Sequence, residues 1–259
     1  MSYFIFDNIH SKEMNLRIAH VGSQGIVRKS TFADVEIVSD RSARRTEPYQ
    51  YGRRLAPTRE ISMEIFHAHG GEFLYYERET IGEWLFGRAD NHILTILDQD
   101  MGNKNYLCRL TRPEVIMLGG RVIGWRFTVT SALPYSFTDI IETSYEINDS
   151  AFISFHNLNQ IEEYLWPEIE IEMLGDSTSI LIQNENDNNR IFNITDIRQG
   201  ETIYVDNDRR MIKTASGDDL FNTFNLNFLR FNLGHNRLFV SGSARLVFRN
   251  RWKKAIGAF

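Results

Sequence analysis

The sequence predicts a mainly β protein of two domains, and three observations predict it. Apolar and polar residues alternate along many short runs, turn-forming glycines separate such runs, and one stretch alone shows a clear helical period. A period of two sends successive side chains to opposite faces, the mark of a strand buried on one side. The expected architecture is an N-terminal β-rich sandwich domain with one short helix and a hairpin arm, followed by an all-β sandwich.

Taken in order, Ile61, Met63 and Ile65 share one face, with Ser62 and Glu64 on the other. Thr80-x-x-Glu83 fits a capping box, Ile81, Trp84 and Leu85 fall on one helical face, and Gly87 suits a stop. Met101-Gly-Asn-Lys-Asn105 then separates Ile93–Leu97 from Tyr106–Leu110 as a loose hairpin. Gly119-Gly120, between Val115–Leu118 and Val122–Trp125, reads as a tight one. The strand pattern halts across Ser136–Asn148 and resumes at Ala151–Phe155, which predicts domains at 1–140 and 141–259. In the second half, Ile169, Ile171 and Met173 oppose Glu168, Glu170 and Glu172, and Ala244, Leu246 and Phe248 alternate with Arg245, Val247 and Arg249. A further helical turn is expected around Asp218–Phe224. The last residues, Arg249–Phe259, are expected to pack back on the first domain or hang free.

Composition narrows the function classes. A chain of 259 residues with 29 basic and 34 acidic side chains carries a net charge of −5, which argues against a dedicated nucleic-acid binder. The lone Cys108 excludes an intramolecular disulfide and suits synthesis in a reducing cytoplasm. The N-terminus lacks the pattern of a secretory signal, and no run approaches the roughly 20 apolar residues of a membrane span, so no membrane insertion is expected.

Candidates for chemistry are weak. His67 and His69 have ligand-like spacing but no recognisable further ligands, so no metal is expected. Glu168, Glu170 and Glu172 imitate a carboxylate pair, yet any strand with a charged face does so, and Asp98 and Asp100 are explained by turn chemistry. Ser154 and His156 are a chance proximity. Phosphate-loop, dinucleotide and serine-elbow patterns are missing, and neither an enzyme nor a cofactor is expected. Arginines concentrate at Arg41, Arg44, Arg45, Arg53, Arg54 and Arg59, interleaved with Tyr49 and Tyr51. Arginine with aromatics grips phosphates or lines protein interfaces, and the acidic overall balance favours the interface. Tyr164, Trp166 and Tyr204 are the candidates for glycan contact.

Several motifs in order carry a resemblance. Met1-Ser-Tyr-Phe-Ile-Phe-Asp-Asn-Ile-His-Ser-Lys-Glu-Met14 looks like an opening strand and turn, and Trp125-Arg-Phe-Thr-Val-Thr-Ser-Ala-Leu-Pro-Tyr135 like the end of an N-terminal domain. Between them, Arg53–Ile65, Ile81-Gly-Glu-Trp-Leu85 and Leu97–Arg109 fit the same pattern. Trp166-Pro-Glu-Ile-Glu-Ile171, Leu233-Gly-His-Asn-Arg-Leu238, Gly242 and Phe248-Arg-Asn-Arg-Trp252 continue it. Together they resemble the distal tail proteins of long, non-contractile-tailed bacteriophages. Two departures stand out: Asp40-Arg-Ser-Ala-Arg-Arg45 stands near the place of the family's usual Pro-Gly-Arg-x-Gly, and Gly234 directly precedes His235-Asn236 where a proline-glycine pair is more typical.

The resemblance implies a structural protein of the virion tail tip, made in the host cytoplasm. It implies a homohexameric ring of N-terminal domains with galectin-like sandwiches outside, joining the tail tube protein to the tail-associated fibre or lysin protein. Tape measure protein and then DNA would pass through the lumen, with only transient, non-specific DNA contact. Arg41, Arg44, Arg45, Arg53 and Arg54 would then face a neighbouring subunit or the lumen. A receptor-binding protein or a host surface glycan is a further expected partner. Two other readings share the pattern: a carbohydrate-binding adhesion module of a baseplate, and a tail-tube-like baseplate protein.

Overall fold

The computed structural model describes residues 3–21, 35–40, 47–55, 59–97, 103–218 and 220–255. The chain divides into two units, residues 1–139 with 254–259, and residues 140–253.

The first unit runs β1 (Tyr3–Phe6), β2 (Ile9–His10), β3 (Leu16–Val21), β4 (Val35–Asp40), β5 (Tyr49–Leu55), β6 (Arg59–His67), α1 (Tyr75–Phe86), β7 (His92–Leu97), β8 (Lys104–Leu118), β9 (Arg121–Ser131) and β10 (Ser136–Phe137). Seven strands form an antiparallel path in the order β2-β1-β7-β8-β9-β6-β3, and β10 adds to β8 through Phe137 and Asn105. Among the described residues, strands β4 and β5 pair with each other and with no further strand.

Turn chemistry sets the register. Gly119 and Gly120 both take left-handed φ, 57° and 81°, and close the two-residue hairpin that pairs Leu118 with Arg121. Asp7 and Asn8 do the same between β1 and β2, at 50° and 62°. Such turns match the right-handed twist of the flanking strands.

The alternation then decides which face is buried. Ile61, Met63 and Ile65 stand opposite Val129, Phe127 and Trp125 of β9, and all six are buried. Glu64 lies on the other face yet is also buried, because Arg126 clasps its carboxylate from the neighbouring strand at 2.7 and 2.8 Å. A charge removed from water needs such a partner.

The helix begins earlier than the sequence pattern suggests. Its first residue is Tyr75, and the Glu77 carboxylate accepts from the Leu74 amide at 2.8 Å. Thr80 lies inside the helix, where its hydroxyl donates to the Tyr76 carbonyl, so the Thr80–Glu83 box is not the start. Gly87 does end the helix, but with φ at −78° the reason is space: a Cβ there would meet the Glu83 carbonyl oxygen at 2.6 Å. Ile81, Trp84 and Leu85 are buried, and Trp84 stacks on Phe4 at 5.8 Å.

The second unit is a two-sheet sandwich, built from β11 (Ile141–Ile147), β12 (Ser150–Asn157), β13 (Glu168–Met173), β14 (Ile180–Asn184), β15 (Arg190–Ile194), β16 (Thr202–Asp206), β17 (Met211–Thr214), β18 (Gly234–Ser241) and β19 (Ala244–Asn250). One sheet is ordered β11-β19-β13-β16-β17 and the other β12-β18-β14-β15. Ile169, Ile171, Leu246 and Phe248 from the first meet Phe155, Ile182, Phe192 and Leu238 from the second in one apolar core. The stretch around Asp218–Phe224 makes a single turn, closed by the Phe224 amide on the Leu220 carbonyl. A final strand, β20 (Lys253–Lys254), ends with the Lys254 carbonyl accepting from the Ser136 hydroxyl.

Candidate interaction surfaces

The β4–β5 ribbon is one exposed apolar feature of the first unit. Its register sets Ile37 opposite Arg53, Glu36 opposite Arg54 and Asp40 opposite Tyr49, with an irregularity at Val38 and Ser39 beside Gly52, whose φ is 125°. Ile37 and Tyr51 are 63% and 68% exposed, and Val38 and Tyr49 are exposed as well. A two-stranded ribbon with no sheet behind it is marginal in water. Apolar side chains on both its strands therefore mark a surface that expects cover. Of the arginines singled out in the sequence, Arg53 and Arg54 lie on β5, while Arg41, Arg44 and Arg45 lie outside the described residues.

A second apolar surface surrounds the Gly119-Gly120 turn. Strand β8 outruns its sheet, so Val115, Met117 and Leu118 are all exposed, Leu118 at 69%. A groove of about 280 Å³ opens beside it, lined by Arg17, Ile18, Phe66, His67, Leu118 and Ile123, among others. The Phe73 amide donates to the Val122 carbonyl at 2.9 Å, and Arg121 pairs with Glu72 at 3.4 Å. These bonds bring the helix start, with exposed Leu74, Tyr75 and Tyr76, against the turn. The sequence signal for this patch was the unbroken run Val115-Ile-Met-Leu118, which abandons the alternation.

In the second unit, Tyr164 and Trp166 lie edge to face at 6.3 Å. Arg230 lies over the Tyr164 ring at 4.0 Å and Arg210 over Trp166 at 4.3 Å, so a guanidinium covers one face of each. Tyr204 stands elsewhere, on β16 opposite Glu170 and Lys213. Arg230 also makes a two-pronged bond to Asp187, at 2.7 and 3.0 Å, and Asp187 keeps only 4% of its side chain in solvent. No sequence motif announced this pair. Arg230→Ala is expected to lower the second unit's stability by about 2–3 kcal/mol in a urea melt. That is less than for a fully enclosed pair, because Arg230 is 26% exposed. An unchanged midpoint would mean that Asp187 finds other donors.

The remaining candidates resolve into structural roles. The His67 Nδ1 accepts from the amides of His69 and Gly71, both at 3.2 Å, which stabilises the turn after β6. Among the described residues no group of three metal-ligating side chains converges. Glu170 and Glu172 pair across strands with Arg249 at 2.7 Å and Arg245 at 4.0 Å. The Ser154 hydroxyl meets His235, not His156, at 2.9 Å, and among the described residues no carboxylate bonds the other His235 nitrogen. Burial pushes the Cys108 thiol up to about 12, against a weaker lowering by a backbone bond at Leu94, so it stays protonated and unreactive at neutral pH. No helix among the described residues is long and apolar enough to cross a membrane.

Residues 1–132 match a family described as a phage tail protein N-terminal domain, and residues 135–249 match one described as a phage tail C-terminal domain. Among solved structures, SPP1 Dit is described as a paradigm of the hub adsorption apparatus in phages infecting Gram-positive bacteria. The fold matches it with a TM-score of 0.72 and 13% identity, over 97% of this chain and 99% of that one. Two structures of the phage p2 baseplate in its activated conformation, with Ca and with Sr, match with TM-scores of 0.53 and 10% identity. They cover 96% of this chain and 97% and 98% of theirs. Among curated proteins none matches.

Proposed function

We propose, because this chain belongs to a phage tail protein family, that it is the hub of a tail tip. As a member it is a structural component of the virion and not an enzyme. In the proposed role, six copies close into a ring through the first unit. The ring joins the tail tube protein to the tail-associated fibre or lysin protein and lets the tape measure protein and DNA pass. The observation that carries this reading is a fold likeness to a hub protein spanning both units and nearly the full length of both chains. Arg41, Arg44, Arg45, Arg53 and Arg54 are assigned to the subunit or lumen surface, as the basic cluster of an acidic chain.

The test is mass in solution by light scattering, with negative-stain images of the same sample. The expected particle has six times the 30.2 kDa chain mass, or twelve times for paired rings, and a central hole. A chain that stays single at every concentration, and forms no ring when mixed with tail tube protein, would sink the hub.

Glycan contact through Tyr164 and Trp166 is a secondary proposal, supported by their edge-to-face pairing and the 41% exposure of Tyr164; Tyr204, exposed on β16, would make a separate contact. It is read by titrating the full chain with host-wall oligosaccharides, and unaltered binding by Trp166→Ala would remove that residue from the site.

A further inference from the structure

Arginine pairing sets one end of the second unit apart. Arg198, Arg209, Arg230, Arg237, Arg245 and Arg249 each pair with a carboxylate. Arg190 and Arg210 pair with none among the described residues, although Asp208 stands on the same turn as Arg210. Both come to Phe228. The Arg190 Nε–H donates to its carbonyl at 2.9 Å, and the Arg210 guanidinium lies 5.4 Å from its ring centroid and 4.3 Å from that of Trp166.

Buried bonds hold this end in place. Asn207, in the turn between β16 and β17, is fully buried. Its Nδ2 donates to the Pro167 carbonyl at 2.6 Å, and its Oδ1 accepts from the Leu229 amide at 2.7 Å. One side chain thus ties the turn that carries Arg210 to the residue after Trp166 and to the residue after Phe228. Arg210 itself holds φ at 58°, an uncommon conformation for a long side chain, which these bonds support.

A guanidinium lying on a ring face keeps its edge donors for an anion, and its planar fork suits phosphate oxygens. An uncharged sugar stacks on a bare ring face, so here it would have to displace Arg210 from Trp166. A phosphate uses that arginine where it stands. Tyr164, 41% exposed and edge to face with Trp166, is left for the sugar attached to the phosphate. The net charge of −5 disfavours a strand of nucleic acid, which needs a basic track and not one local site.

We propose that this end of the second unit binds a phosphorylated glycan, its phosphate taken by Arg210 and Arg190 and its sugar resting against Tyr164. The proposal rests on the secondary glycan reading and names its ligand class.

The test is a titration of the full chain, followed by ligand-observed NMR, with glucose 1-phosphate, glucose, inorganic phosphate and a single-stranded DNA oligomer. Glucose 1-phosphate should bind with a Kd of about 1 mM. It should bind at least tenfold more tightly than glucose or inorganic phosphate, and added salt should weaken it. Arg210→Gln with Arg190→Gln should reduce that binding at least tenfold, and Tyr164→Ala should bring it to the level of inorganic phosphate. Arg209→Gln, on the same turn but paired with Asp206, should leave it unchanged. Arg210 lacks an ion-pair partner among the described residues, so Arg210→Gln alone carries the test should the double variant not fold. Equal binding of glucose and glucose 1-phosphate, or unaltered affinity in the arginine variants, would overturn the phosphate contact and leave the glycan reading. Inorganic phosphate binding as tightly as glucose 1-phosphate would mean a site for a bare anion, and tighter, arginine-dependent binding of DNA a site for nucleic acid. Either overturns the proposal. So does a chain that binds no glucose 1-phosphate, and if host-wall oligosaccharides also fail to bind, the glycan reading falls with it.

Discussion

Replacing Trp84 by alanine is expected to lower the stability of the first unit by about 3–5 kcal/mol. The indole is 4% exposed, stacks on Phe4 at 5.8 Å, and lies 6.3 Å from Phe6. Its Nε1–H donates to the Phe6 carbonyl at 3.0 Å, across 78 residues of sequence. Removing it empties the seam between α1 and the sheet and deletes a long-range hydrogen bond. Trp84→Phe separates the two losses: it keeps most of the apolar volume and should cost about 1–3 kcal/mol, largely for the Phe6 carbonyl left without its donor. Denaturant unfolding followed by far-ultraviolet circular dichroism checks both. A loss below about 1 kcal/mol for alanine would mean that the helix settles into the gap, and the seam would not be rigid.

Gly242→Ala should be the most damaging glycine substitution in the second unit, at about 2–6 kcal/mol. Two costs of about 1–3 kcal/mol each combine there. The residue holds φ at 114°, and an added Cβ would stand 2.3 Å from the Ser179 carbonyl oxygen, a backbone atom that cannot swing aside. Its own amide is committed to the Asp149 carbonyl at 2.7 Å. Gly200→Ala is the control, since Gly200 has φ at 70° but open space around it, and should cost only about 1–2 kcal/mol. If the two variants melt together, crowding at Gly242 contributes nothing and the fold tolerates a shift of Ser179. Gly242 is also one of the residues that carry the family resemblance, and its backbone gives a physical reason for glycine there.

The glycines show how far a sequence can be read. Gly119-Gly120 was legible because a two-residue hairpin demands left-handed φ at both positions, and only a few residue types supply it cheaply. Gly87 was legible as a helix stop, but for a different reason from the one the pattern suggests: it is crowded by Glu83, not left-handed. The helix start was misplaced because Thr80 and Glu83 have the spacing of a capping box. A glutamate bonding back to the Leu74 amide, with no Ser, Thr, Asp or Asn at the cap, has no comparable sequence signal.

The candidate surfaces divide in the same way. Clustered arginines and tyrosines pointed to the ribbon, since charge and aromatic content are visible in one segment. The groove was not visible, because its walls come from β3, β6, β8 and β9. Tyr164 and Trp166 come together because they are two residues apart in a short extended run, whereas Tyr204 is carried off by its own strand.

By itself the sequence determined the family, the tight Gly119-Gly120 hairpin and the buried faces of the strands that alternate clearly, because alternation, turn preference and motif order are properties of neighbouring residues. It failed at Ser136–Asn148, where the pattern halts and yet β11 (Ile141–Ile147) pairs with β19. Only the tertiary structure decided that Glu64 is buried against Arg126, that Arg230 serves Asp187, and that Leu118 is left in water beside a groove. Each of those outcomes depends on which strands lie side by side. Strand order follows from summing many weak contacts across the whole unit, and no local run of residues records that sum.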